Sequence, residues 1–153
     1  IIDLIVERFN KSNADYASNA GWINEAGEFY GRTFPDGLDV EVLSFEALER
    51  TWHEAKLPSD REHVLTYIYK NPSLFRIKQV TQDMDMSSMR WTVDEPVDLQ
   101  FIQRIFGHLY SPERHFATSE VLELLQRDPQ LRSLNEGFTV NEGYRDSIQK
   151  DRG

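Results

Sequence analysis

Apolar residues recur with helical spacing at the start of the chain. Ile1, Ile2, Ile5, Val6 and Phe9 predict a helix over Ile1–Phe9 with one broad apolar face. Ala14–Asn19 reads as a short strand. Residues 21–37 form a long polar connection with glycines at Gly21, Gly27, Gly31 and Gly37. Its aromatic residues Trp22, Phe29, Tyr30 and Phe34 imply packing against something. Leu38–Leu43 alternates apolar and acidic positions, a period-two strand pattern. Ser44 can cap a following helix in which Phe45, Leu48, Trp52 and Ala55 line one face. Ser59 and Glu62 are spaced as a capping box, predicting a helix that runs to about Lys70 and stops at Asn71-Pro72.

The second half repeats the alternation. Leu74–Val80 and Met89–Val93 read as strands, with a polar loop over Gln82–Ser88 between them. Pro96 suits the first turn of a helix whose Leu99, Ile102, Ile105, Phe106 and Leu109 form an apolar face. Thr118 is placed to cap another helix, with Val121, Leu122, Leu124 and Leu125 buried. The remainder is polar, with anchors at Leu134, Phe138, Val140 and Tyr144. Strands alternating with helices predict an α/β fold. The pattern divides into a main body over 1–112 and a helical tail over 113–153. Three or four strands are few for an open sheet covered on both faces. Ile1 already lies inside a helical pattern, so the chain is expected to be part of a longer protein.

Composition narrows the function classes. The 153 residues carry 17 Lys and Arg against 26 Asp and Glu, a formal net charge of -9. A chain this acidic lacks the cations that general nucleic-acid binding requires. Cysteine is absent, which excludes disulfides and thiolate metal sites and fits a reducing, cytoplasmic compartment. No apolar run approaches the roughly 18 residues of a membrane span.

The chemistry concentrates where the strand expected at Met89–Val93 meets Asp94, beside the N-terminus of the helix opened by Pro96. Ligands and metals collect at such strand ends in open α/β sheets. Two readings of Asp94 are open. It is either a magnesium ligand, since a carboxylate is a hard oxygen donor, or the cap of the following helix. Asp98 in the first turn favours the helix dipole. Asp39 and Glu41 share one strand face, where paired acids bind a metal, hydrogen-bond sugar hydroxyls, or simply face solvent. Arg61 and Arg90 could hold a carboxylate or phosphate, or pair with the abundant acids. His63 is either a site residue or a surface helix residue. His53, His108 and His115 show no metal spacing.

Thr92-Val93-Asp94-Glu95-Pro96-Val97-Asp98-Leu99 resembles the "(V/I)DTPEDL" segment of sugar cytidylyltransferases. Phe34–Val42, Arg61-Glu62-His63-Val64, Arg90–Asp94 and Asn141-Glu142-Gly143-Tyr144 resemble, in this order, the spore-coat polysaccharide biosynthesis F type. That type is similar to CMP-Kdo synthetase and acylneuraminate cytidylyltransferase. The similarity runs from Ile1 to about Ser147.

The resemblance implies the C-terminal part of a Rossmann-like nucleotidyltransferase fold with a helical C-terminal tail. It implies transfer of CMP from CTP to an acidic sugar, with Mg2+, for surface polysaccharide or glycoconjugate synthesis. It maps a magnesium-binding acid onto Asp94. It places Asp36, Asp39, Glu41 and His63 on the acceptor side, where Arg61 is a substrate-binding candidate through its guanidinium, and it makes residues 19–34 a homodimer arm. The family's basic glycine-containing loop and its other metal-binding aspartate are not among these residues, so the chain alone is expected to be inactive. Two other readings stay open. One is a non-catalytic dimerisation or partner-binding module. The other is a nucleotidyltransferase that uses a different nucleotide.

Overall fold

The structure is a computed structural model that describes residues 1–23, 29–137, 147 and 151. Two compact units are present, one formed by residues 1–88 with 139–153 and the other by residues 89–138. The division at residue 112 remains a reading of the sequence.

In the first unit, helix α1 (Ile2–Ser12) ends at Asn13, whose left-handed backbone (φ 50°) turns the chain. Ile5 is fully buried with Ala17 and Val80, while Ile1, Ile2 and Val6 stay exposed. Only part of the expected apolar face is therefore covered. Strand β1 (Tyr16–Ser18) is central in a three-stranded sheet. β4 (Glu41–Leu43) pairs with it antiparallel, with Tyr16 opposite Leu43 and Ser18 opposite Glu41. β5 (Ile77–Gln79) pairs with it parallel, with Tyr16 opposite Ile77. The parallel pair requires a crossover, which the helices between β4 and β5 supply. The fully buried Asn19 extends the pairing beyond β4, donating to Leu38 O at 3.0 Å and accepting from Val40 N at 2.7 Å.

The long connection contains an antiparallel ribbon of β2 (Trp22–Ile23) and β3 (Phe29–Tyr30). It enters through Gly21, at φ 92°, where a Cβ would lie 2.7 Å from the Tyr30 carbonyl oxygen. Only glycine accommodates both the backbone angle and that approach.

Helix α2 (Phe45–Glu54) starts as expected, with the Ser44 hydroxyl accepting from Ala47 N at 3.1 Å. Its buried face differs from the expectation. Ala47, Thr51 and Ala55 are buried, whereas Phe45 and Trp52 are 73% and 60% exposed and Leu48 is exposed too. The small side chains let the helix backbone approach the cluster of Tyr16, Ile68 and Phe75. The helix expected over Ser59–Lys70 is broken into α3 (Pro58–Glu62) and α4 (Thr66–Lys70). Ser59 forms no capping box. Its hydroxyl and its N–H both donate to the Asp151 carboxylate, and the hydroxyl also accepts from Lys70 Nζ at 2.9 Å. A carboxylate distant in sequence thus takes the place of the local cap.

In the second unit, α5 (Pro96–Leu109), α6 (Thr118–Arg127) and α7 (Pro129–Arg132) enclose Phe101, Ile105, Val121, Leu125 and Leu131. Trp91, Ile102, Leu109, Phe116, Leu124 and Leu134 pack around that core. Leu99 and Phe106, expected on the buried face, are exposed. α6 starts without a Thr118 cap; the Glu120 carboxylate instead accepts from Ala117 N at 3.0 Å. No strand element covers Met89–Val93, so Asp94 does not end a strand. Gly27, Phe138, Val140 and Asn141–Tyr144 lie outside the described residues.

Candidate functional site

In the second unit, Asp98 sits in the first turn of α5 and is fully buried. Its carboxylate has four partners. Arg90 Nε lies 3.0 Å from Oδ1 and 3.2 Å from Oδ2, and Arg90 Nη2 lies 2.8 Å from Oδ2. Asn135 Nδ2 donates to Oδ1 at 3.0 Å. The backbone N–H groups of Asp94 and Glu95 donate to Oδ2 at 3.1 and 3.0 Å. The Arg90 guanidinium beside Asp98, helped by Asn135 and the two N–H groups, holds its carboxyl well below the usual carboxylate range. Asn135 Nδ2 also donates to the Arg90 carbonyl at 2.9 Å. Residues 90–98 are therefore tied together by one buried anion.

Asp94 lies on the edge of this arrangement. Its side chain is 70% exposed, and Arg90 Nη2 approaches Oδ2 at 3.3 Å. It does not cap α5. Glu95 occupies the N-cap position, and Asp98, at the third helical position, reaches back to accept the Glu95 N–H. An exposed carboxylate, lightly held by one guanidinium, fits a magnesium site as one of its ligands, since magnesium takes one or two carboxylates plus phosphate oxygens and waters. Among the described residues no group of three His, Asp or Glu side chains could hold a metal by itself.

The first unit gathers Asp36, Asp39 and Glu41 around β4. Arg32 Nη1 is paired with the buried Asp36, and Arg32 Nη2 lies 3.1 Å from Asp39 Oδ2. Burial pushes the Asp39 carboxyl above its ordinary value; Arg32 offsets this in part, while the charges of Asp36 and Glu41 add to it. The Glu41 carboxylate accepts from the hydroxyls of Tyr16 and Tyr69, which lie 2.7 Å from each other. Burial, with the negative charge of Glu41 beside them, raises both phenols far above their ordinary value. They remain neutral donors. Three carboxylates, one guanidinium and two phenols make a polar, net-negative edge beside the sheet.

Arg61 and His63 belong to a different arrangement at the end of α3. The Arg61 guanidinium lies over Trp52, 5.7 Å from the ring centroid. His63 follows the last residue of α3 rather than opening a helix, and its Nε2 is 3.0 Å from Ser147 Oγ. Ser147 donates in turn to Glu62 at 2.8 Å.

Sequence reasoning missed Arg32, Tyr16 and Tyr69, assigned Asp98 only a dipole role, and passed over Asn135. Arg32 and Asp36 are four residues apart, as are Arg90 and Asp94, but neither segment is helical, so the spacing by itself carried no signal. Asn135 reaches Asp98 across 37 positions and carries no local signal.

No protein-family model matches the chain. An uncharacterized protein from Methanocaldococcus jannaschii is 30% identical over 142 residues, covering 88% of this chain and 51% of that protein. Among solved structures, a cytidylyltransferase from Leptospira borgpetersenii serovar Hardjo-bovis superposes with a TM-score of 0.72 at 24% identity. That match covers 90% of this chain and 53% of the enzyme. The chain thus spans about half the length of the proteins it matches, and its mixed α/β architecture is the fold of the corresponding part of that cytidylyltransferase structure.

Proposed function

We propose that the chain is the C-terminal part of a cytoplasmic, magnesium-dependent sugar cytidylyltransferase of the spore-coat polysaccharide type. In this reading an acceptor hydroxyl oxygen attacks the α-phosphorus of CTP. The new oxygen–phosphorus bond forms as the bond to the β-phosphate bridging oxygen breaks, pyrophosphate leaves, and the hydroxyl proton passes to solvent or a base. The observation that carries the reading is the exposed Asp94 carboxylate, held beside the start of α5 in a chain that shares its fold with a cytidylyltransferase. Asp94 would provide one carboxylate ligand to magnesium. The metal, when bound, supplies charge neutralisation on the phosphates.

The edge formed by Asp36, Asp39, Glu41, Tyr16 and Tyr69 suits the acceptor. Carboxylates accept hydrogen bonds from sugar hydroxyls, and the neutral phenols hold Glu41 in place. Arg32 is already engaged by Asp36 and Asp39, so an acidic acceptor would meet net negative charge there. The geometry favours a hydroxyl-rich acceptor at this edge, while an acidic sugar remains what the family resemblance implies. His63 belongs to the acceptor side on the resemblance alone, and Arg61 as a substrate-binding residue on the chemistry of its guanidinium alone. A homodimer through the arm around residues 19–34 completes the proposal, and Tyr30 in that arm is exposed.

Pyrophosphate release by the full-length protein with CTP, magnesium and a panel of sugars tests this. CTP-selective release matched by CMP-sugar formation is expected, and the 153-residue chain alone is expected to release none. Equal rates with other nucleotides would move the reading to a different nucleotidyltransferase.

A second reading, a non-catalytic partner-binding or dimerisation module, is favoured by the exposed Phe45 and Trp52 on α2. Its signature would be a stable assembly lost on Trp52→Glu, in a full-length protein that releases no pyrophosphate with any nucleotide.

A further inference from the structure

We propose that Asp98 is a positioning residue for Asp94, acting through Arg90 and the main chain; this rests on the reading of Asp94 as a metal ligand. Three links join the two acids. Asp98 Oδ2 accepts the Asp94 N–H at 3.1 Å, which fixes the backbone from which the Asp94 side chain departs. The same oxygen accepts the Glu95 N–H at 3.0 Å, which fixes the next peptide. It also holds Arg90 Nη2 at 2.8 Å, and that nitrogen reaches Asp94 Oδ2 at 3.3 Å.

Burial divides the labour between the two carboxylates. Asp98 is fully buried and Arg90 nearly so, whereas Asp94 is largely exposed. A buried, fully hydrogen-bonded carboxylate beside a guanidinium stays ionised and has one geometry. An exposed carboxylate on an untethered backbone would sample many geometries, and a ligand that must be ordered at the moment of binding weakens the site. Asp98 orders Asp94 in advance without approaching the metal itself. Ligand and positioning residue are both acids four residues apart, which explains why the segment carries two aspartates when only one is accessible.

The test is Mn2+ binding to the full-length protein, followed by electron paramagnetic resonance, with thermal midpoints recorded for every variant. Asp94→Asn is expected to weaken Mn2+ binding at least tenfold. Arg90→Lys, which keeps the charge but loses the fork, and Asp98→Asn are expected to weaken it about tenfold at unchanged metal stoichiometry. Asn135→Ala supports the same buried pair without touching Asp94, and it should lower the thermal midpoint while changing Mn2+ affinity less than twofold. Unchanged affinity in Asp94→Asn overturns the metal reading, and the positioning role with it. Loss in Asp94→Asn with wild-type affinity in Arg90→Lys and Asp98→Asn overturns the positioning role alone. Affinity falling in step with the thermal midpoint in all variants, Asn135→Ala included, also overturns it. Should Asp98→Asn not fold, Arg90→Lys decides.

Discussion

Arg90 grips Asp98 along one edge of its guanidinium, with Nε shared between the two carboxylate oxygens and Nη2 on Oδ2 at 2.8 Å. Asp98 is closed to solvent and Arg90 nearly so, at 0% and 12% exposure. Removing one partner strands the other charge. Asp98→Ala is expected to destabilise the protein by about 3–5 kcal/mol, because a buried guanidinium and two backbone N–H groups lose their acceptor. Urea denaturation followed by circular dichroism measures this, and a loss below about 1 kcal/mol would mean the pair is not what orders residues 90–98.

The same pair sets an acid limit. The folded-state pKa of Asp98 is lowered by Arg90, so its contribution to stability is full above the ordinary carboxylate value of about 4. That contribution is lost as pH falls from there through the lowered folded value. The wild-type protein should therefore lose stability relative to Asp98→Asn as pH falls below about 4, and the gap between them should stay constant above pH 6. Denaturation midpoints of both proteins across pH 2–7 check the sign.

The face of α2 makes a mutational contrast. Phe45 is 73% exposed and Ala47 is buried against Tyr16, Ile68 and Phe75. Phe45→Ala should cost no more than about 0.5 kcal/mol, in contrast to about 3–5 kcal/mol for a core phenylalanine. Ala47→Leu should cost about 1–3 kcal/mol by overpacking. Thermal melts of the two variants decide which face is the buried one.

At the entry to the β2–β3 ribbon, Gly21→Ala places a methyl group against the Tyr30 carbonyl at a positive φ. A loss above about 1 kcal/mol is expected from the strained backbone and the contact together. A neutral effect in denaturation would show that the ribbon does not approach Gly21 this closely.

Much of the chain was legible where one local rule decided the outcome. Ser44 capped α2, Pro96 opened α5, and the alternation over Leu38–Leu43 marked β4. Legibility failed where a distant residue overrode the local rule. Ser59 and Glu62 have capping-box spacing, yet Asp151, 92 positions away, takes the Ser59 N–H. Met89–Val93 has strand composition but forms no strand element, and within it Asp98 takes the Arg90 guanidinium and Asn135 the Arg90 carbonyl. On α2 the large apolar residues suggested the core, but close packing selected the alanine face. The candidate site followed the same rule. The acids near β4 were visible as an alternating pattern, whereas their partners Arg32, Tyr16 and Tyr69 come from other elements and became visible only on folding.

The central claim is that Asp94 serves a metal-assisted transfer of CMP and not the stability of the fold. Its exposure and its long 3.3 Å contact with Arg90 predict that Asp94→Asn changes folding stability by no more than about 0.5 kcal/mol. The most direct measurement is magnesium-dependent pyrophosphate release from CTP by full-length wild-type and Asp94→Asn proteins with a sugar acceptor. The expected result is wild-type turnover that falls at least a hundredfold, about 2.7 kcal/mol of transition-state stabilisation, in a variant that melts normally. Wild-type turnover in Asp94→Asn would contradict the account.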